Sequence, residues 1–370
     1  MNRKTFIIII LLSLIPFLFY FTSSGLIDGD SFYYLNAVCN NTQGTASSHL
    51  FVFIINLLPC NLFIIKGLYC LLYFVSMIIL TKIVELFSKN SEYTPFLVSA
   101  TFLVFEFMKF ENDVFGYLLG FLGVYLFFKF SDWRKLYSLF FLGLGFLFWE
   151  GVGYWLILFP IWFVIFSLIY FQRFWWFVFS IESSIIEHTP WLGFMNYGLI
   201  LPLIYIGFLN TKEIKIKITF ILLVLINVFV AKLWVLALPF GLIIACNAIG
   251  FLKQEWDYQL KNYVLISGIV FVVFALFFCL NQPFTEKDIN LIQRGVDLAC
   301  EQNDCWLEND FSVGHTVRYL GGKTNSYSSL IEKYKYEGIV IDINSSKNII
   351  PSKCVILEET RFFRLLDCNQ

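Results

Sequence analysis

Apolar residues run along this chain in long blocks, and polar residues collect in the short breaks between them. A helix that crosses a bilayer needs about 20 mostly apolar residues. The blocks at 5–22, 62–81, 95–109, 114–130, 136–149, 152–171, 174–182, 193–209, 216–231, 233–251 and 262–281 therefore predict about eleven transmembrane helices. The block at 174–182 is short and reads as re-entrant or tilted. The stretch 48–58 is apolar but closed by Pro59, which predicts an interfacial helix. Asn2-Arg3-Lys4 ahead of the first block is like the start of a signal peptide. Bulky Tyr20-Phe21 and the lack of a small-residue cleavage site predict a retained first span instead.

The pattern changes at about residue 283. Apolar runs shorten, and strand-like pieces appear at Gly338-Ile339-Val340-Ile341, Cys354-Val355-Ile356-Leu357 and Phe362-Phe363-Arg364-Leu365. Helix-like stretches lie at Asp288 to Leu298 and Ser328 to Tyr334. The expected fold class is thus mainly α: a polytopic membrane domain over 1–282, followed by a small α/β domain over 283–370 on the extracytoplasmic face.

Composition supports this division. The 370 residues are 58% hydrophobic and only 14% charged, against about 25% charged in soluble domains. A net charge of −1 with no basic arm gives no reason to expect a nucleic-acid partner. Sidedness follows from Lys and Arg in short loops. Arg3, Lys4, Lys82, Lys89, Lys129, Arg134, Lys135, Arg173, Lys212, Lys215, Lys217, Lys253 and Lys261 fall in one set of loops. Lys66, Lys109 and Lys232 fall in the other. The first set is expected in the cytoplasm with the N-terminus, and the odd span count puts the C-terminal domain outside. Cys39, Cys300, Cys305, Cys354 and Cys368 would then lie outside, where Cys300–Cys305 and Cys354–Cys368 are two of the pairings open to them. A zinc site is the weaker alternative, because paired CxxC motifs are missing.

The short outer loops hold the chemistry-bearing residues: Asp28-Gly29-Asp30, Glu111-Asn112-Asp113 and Glu187-His188. Any one of these is ordinary for an interfacial loop. Together, on one face, they make a set of hard oxygen ligands suited to Mg²⁺ or Mn²⁺. Such an ion could hold a phosphate leaving group. His49 and His188 are equally well read as interface histidines. Asn40 and Asn344 head outer-face sequons, which also arise by chance.

Taken in order, these segments resemble the catalytic subunits of oligosaccharyltransferases. Asp30-Ser31-Phe32-Tyr33-Tyr34-Leu35 resembles their first-loop Asp-Pro-Tyr-Tyr-His-Leu, and Glu111-Asn112-Asp113 their second acidic motif. Trp149-Glu150-Gly151-Val152-Gly153-Tyr154 is similar to the Trp-Gly-Gly-Tyr turn, and Ser184-Ile185-Ile186-Glu187-His188 to the long-loop Ser-Val-Ser-Glu-His motif. Ala231-Lys232-Leu233 stands where the family has Ala-Arg-Phe. The resemblance implies a GT-C fold and transfer of a glycan from a polyprenyl phosphate carrier to asparagine. It implies Asp30, Glu111 and Glu187 as catalytic metal ligands, with Asp113 near the metal and the lipid phosphates and Lys232 contacting the phosphates. Two departures stand out. Asp310-Phe311-Ser312-Val313-Gly314, followed by His315, occupies the place of the Trp-Trp-Asp-Tyr-Gly block that reads the acceptor sequon. Val104 stands where the family has an arginine ahead of its second acidic motif. A transferase using a lipid monophosphate sugar with a lipid or polymer acceptor is therefore a rival, as is a degenerate scaffold. A transporter fits less well, because the ionisable groups sit at helix mouths and not near the midplane.

Overall fold

A computed structural model describes residues 2–22, 31–32, 34–35, 39, 49–55, 57, 59–169, 196–229, 233–280, 285–309, 311–326, 338–343 and 354–369. Within these the chain is mainly helical, with one small sheet near the C-terminus. It divides into two compact units. The first comprises Met1–Leu18, Gly67–Phe107 and Asn112–Leu276; the second comprises Phe19–Lys66, Met108–Glu111 and Phe277–Gln370.

The helices follow the apolar blocks. They are α1 (Arg3–Thr22), α2 (His49–Ile55), α3 (Leu62–Glu85), α4 (Thr94–Ser99), α5 (Leu103–Met108), α6 (Asp113–Lys129), α7 (Leu136–Phe148), α8 (Pro160–Ile169), α9 (Leu201–Asn210), α10 (Ile214–Phe229) and α11 (Trp234–Leu280). Two segments, Leu62–Glu85 and Trp234–Lys253, are long and apolar enough to cross a membrane. The short block at 174–182 lies outside the described residues.

Three departures from the expected pattern have local causes. The block at 95–109 is broken into α4 and α5 at Ala100–Phe102, where the Phe102 amide leaves the helical ladder and donates to the Asn196 carbonyl at 3.0 Å. The block at 152–171 opens as a 3₁₀ stretch, Glu150–Leu158, which contains Gly151 and Gly153. Most consequential, the return loop expected at Lys253–Lys261 is absent, and α11 runs through it as one 47-residue helix. That segment is Lys-Gln-Glu-Trp-Asp-Tyr-Gln-Leu-Lys, without Gly or Pro and rich in good helix formers.

In the first unit α6 and α7 pack closely through small residues. Gly120 lies beneath the Trp155 ring, so that a Cβ there would fall inside the ring. A Cβ on Gly145 would come within 3.3 Å of the Gly116 carbonyl oxygen. Trp155 is itself fixed, donating from Nε1 to the Leu236 carbonyl at 2.8 Å. Along α1 the buried positions Ile9, Leu12, Ser13 and Phe17 mark the packed face, while Ile7, Leu11, Leu14 and Leu18 form an exposed apolar stripe at helical spacing.

In the second unit, α12 (Glu286–Asn303), β1 (Trp306–Asn309), α13 (Phe311–Tyr319), β2 (Lys323–Ser326), β3 (Ile339–Ile343), β4 (Val355–Glu359) and β5 (Phe363–Asp367) form an α/β domain. Strand order is β2-β1-β3-β5-β4, with β1 parallel to both its neighbours and β5 antiparallel to both of its own. A capping box opens α12: the Asp288 amide donates to Thr285 Oγ1 at 3.4 Å and the Thr285 amide to Asp288 Oδ2 at 2.8 Å. Gly295 lets this helix approach Leu307, Ile341 and Leu365 of three strands. Strands β3, β4 and β5 lie where the sequence predicts them. Strands β1 and β2, with sequences WLEN and KTNS, are too short and polar to show a strand period. The predicted helix at Ser328–Tyr334 lies outside the described residues.

Three disulfides join Cys39 to Cys60, Cys300 to Cys305 and Cys354 to Cys368. The last two are pairings that the sequence left open. The first brings in Cys60, which the sequence reading did not single out. Among the described residues the free cysteines are Cys70 and Cys246, both buried in apolar helices.

Candidate functional site

The second acidic motif sits in the tight turn between α5 and α6. The Glu111 amide donates to the Lys109 carbonyl at 3.0 Å, and the Phe115 amide to the Asn112 carbonyl at 3.1 Å. Glu111, Asn112 and Asp113 are buried, at 6%, 7% and 7% exposure. Burial of successive polar side chains is costly unless each is compensated. Asp113 occupies the first turn of α6, where the helix dipole favours a negative charge.

Within the second unit the turn is tied to the first-loop motif. The Phe110 amide donates to Ser31 Oγ at 2.9 Å, in a buried hydrogen bond between residues 79 positions apart. Ser31 directly follows Asp30 in the chain, and Phe110 directly precedes Glu111. The next residue, Phe32, packs against Tyr319 at the end of α13, with ring centroids 5.8 Å apart. Partial burial pushes the Tyr319 phenol above its ordinary range. Tyr34 and Phe110 both pack against Phe51 of α2, at 5.6 and 5.8 Å, completing an aromatic bed under the loop.

Within the first unit the other side of the same motif meets the Trp149–Tyr154 turn. Asn112 Nδ2 donates to the Phe148 carbonyl at 2.6 Å, and Tyr117 meets Trp149 edge-on at 4.8 Å. Asn112 does not cap the helix that it precedes, and its Oδ1 is buried without a hydrogen-bond partner among the described residues.

In the second unit one bond thus ties Ser31 to the residue before Glu111, and in the first unit another ties Asn112 to the residue before Trp149. Of the other site residues, Asp30, Glu187, Lys232 and Asp310 lie outside the described residues. Gly314 is buried on α13, and His315 lies on the same helix. No group of three or more His, Cys, Asp or Glu converges among the described residues. Asn112 and Asp113, both in the first unit, carry hard oxygen atoms of the kind that Mg²⁺ and Mn²⁺ select. Ser31 and Asn112 are contributors that the sequence did not assign a role. A serine inside a loop motif carries no mark of a partner so distant in the chain.

Searched against protein-family models and against curated proteins, the chain matches none.

Proposed function

We propose that the chain is a multi-pass membrane glycosyltransferase of the GT-C type. It would transfer a sugar or oligosaccharide from a polyprenyl (di)phosphate carrier to an acceptor, with protein asparagine as the leading candidate. The Ser31–Phe110 hydrogen bond carries the reading, because it joins the chain segments of two proposed ligands from distant parts of the sequence.

Two further observations support the setting. Large apolar side chains stand exposed along the helices, including Ile161 at 75%, Leu168 at 71% and Leu209 at 66%. Water tolerates such surfaces poorly, whereas lipid solvates them. All six paired cysteines fall in the first loop and the C-terminal domain, both assigned to the outer face, where disulfides persist.

In this reading Asp30, Glu111 and Glu187 would hold the divalent cation with Asp113 beside them. When bound, the ion would offset the negative charge that develops on the departing phosphate. Lys232 would pair with the same phosphate as a point charge, without the two-pronged geometry of an arginine. The acceptor nucleophile would attack the anomeric carbon and release its proton to the departing phosphate, forming the glycosidic bond as the bond to the phosphate oxygen breaks. The polyprenyl (di)phosphate leaves. Asp30 would also orient the acceptor amide, and α13, with Gly314 and His315, would border the acceptor region near Asp310.

The test uses membranes containing the full chain, supplied with lipid-linked sugar and Mn²⁺. Glu111→Gln should lower transfer by roughly 10²–10³-fold, the size of effect expected for one charge-stabilising group at a reacting centre. Full activity in this variant would sink the assignment. The departure at the sequon-reading block also suits the rival acceptor classes, and mass spectrometry of a deletion strain separates them. Missing Asn-linked glycans point to protein; altered lipids or polymers point to the monophosphate-sugar transferase.

A further inference from the structure

The turn between α6 and α7 holds two cations that have no acid for a partner among the described residues. Both helices belong to the first unit, and Ser138 Oγ ties them just beyond the turn, donating to the Gly123 carbonyl at 2.7 Å in a buried bond. The turn is built on Asp132, whose Oδ1 accepts from the Arg134 amide at 3.1 Å and whose carboxylate pairs with the Arg134 guanidinium at 2.9 Å. Arg134 is thereby neutralised. Lys129 and Lys135 instead lie against aromatic rings. The Lys129 ammonium stands 5.1 Å from the centre of the Tyr125 ring and 5.6 Å from that of Phe130, and the Lys135 ammonium 4.9 Å from that of Phe127. Such contacts orient an ammonium without cancelling its charge.

The side chains around these cations suit a membrane interface. Trp133, 67% exposed, packs against the exposed Tyr137 with ring centroids 5.7 Å apart, and amphipathic rings of this kind settle at the level of lipid headgroups. Exposed Leu136 and Phe140 continue the surface along α7 as an apolar face. An anion dissolved in water would have no use for that face. An anionic phospholipid matches all of it, with a phosphate for the lysines, a glycerol region for the rings and acyl chains for Leu136 and Phe140. We propose that the α6–α7 turn is a binding site for an anionic phospholipid, whose phosphate is held by Lys129 and Lys135. The turn belongs to the basic loops expected on the cytoplasmic side, where the leaflet carries negative lipid. This rests on the membrane setting of the reading above and not on the transfer reaction.

The experiment titrates the full chain, purified in a neutral detergent, with phosphatidylglycerol or phosphatidylcholine and counts bound lipid by native mass spectrometry. The parent should bind its first phosphatidylglycerol about tenfold more tightly than phosphatidylcholine. Combining Lys129→Gln with Lys135→Gln should weaken phosphatidylglycerol roughly 25-fold, about fivefold for each cation removed from beside a lipid phosphate. Combining Lys129→Arg with Lys135→Arg should restore the parent affinity. As a control, Lys212→Gln with Lys215→Gln removes the same charge from the junction of α9 and α10 and should cost no more than about twofold. Equal weakening by the two Gln pairs overturns the proposal, because net charge alone then explains the binding. Unchanged affinity in the first pair overturns it as well. Inorganic phosphate in excess should leave most of the lipid bound, and complete displacement would show that the turn reads a free anion instead. Should the first pair fail to fold, Trp133→Ala at its exposed position decides: it should weaken phosphatidylglycerol, and parent affinity again overturns the site.

Discussion

Single residues set the tolerances of this molecule. Gly120 leaves no room for a methyl group beneath Trp155, and the ring cannot retreat, because its Nε1 is bonded to the Leu236 carbonyl. Gly120→Ala should lose about 1–3 kcal/mol by overpacking, read as a lower midpoint of thermal unfolding in detergent. Gly143→Ala, whose added carbon meets nothing within 4 Å, is the matched control and should be neutral or slightly stabilising. Tyr319 makes a prediction about pH. Its phenol is raised by burial, so above about pH 10 the unfolded chain gives up the proton while the folded one retains it. The unfolded state then binds fewer protons, and stability falls as pH rises from the unfolded pKa through the folded one. Tyr319→Phe should show a shallower alkaline loss than the parent in an unfolding series from pH 9 to 11.

At the scale of elements, the sequence reveals what depends on blocks and periods and conceals what depends on partners. Helices α1, α3, α6, α7 and α10 begin and end within a few residues of their apolar blocks, because burial or lipid contact favours the whole stretch. The run Lys253–Lys261 misleads because charge in a membrane chain reads as a loop, whereas the backbone responds to propensity and finds no breaker there. Helix α11 is consequently about 70 Å long at 1.5 Å per residue, more than twice the thickness of the hydrocarbon core. Spin labels at Phe251→Cys and Ile266→Cys, both exposed in the parent, report on this directly. A continuous rod separates their Cα atoms by about 22 Å; a reversal at Lys253–Lys261 would bring them much closer. In the C-terminal sheet, β3 and β5 are legible from their Val, Ile, Leu and Phe content. By contrast, β1 and β2 are edge-length pieces stabilised by pairing that single-strand composition does not record. The candidate site divides in the same way. Its acids stand out by type and sidedness, while the Ser31–Phe110 and Asn112–Phe148 bonds exist only once distant segments have been folded together.

For the molecule as a whole, the continuous helix removes one expected return from the span count. Within the second unit Cys39–Cys60 closes the segment between α1 and α3, two further disulfides lie in the sheet domain, and Phe32 packs against Tyr319 of that domain.

The Cys39–Cys60 bond also has a consequence in time. Both its cysteines leave the ribosome long before the sheet domain is synthesised. This ring can close on a nascent chain that so far consists of little more than its first two apolar blocks. Its formation would give the second acidic turn, still to come, a loop already fixed at its base. Maturation of the protein would accordingly depend on thiol oxidation early in synthesis, before the sheet domain exists to pack against the loop.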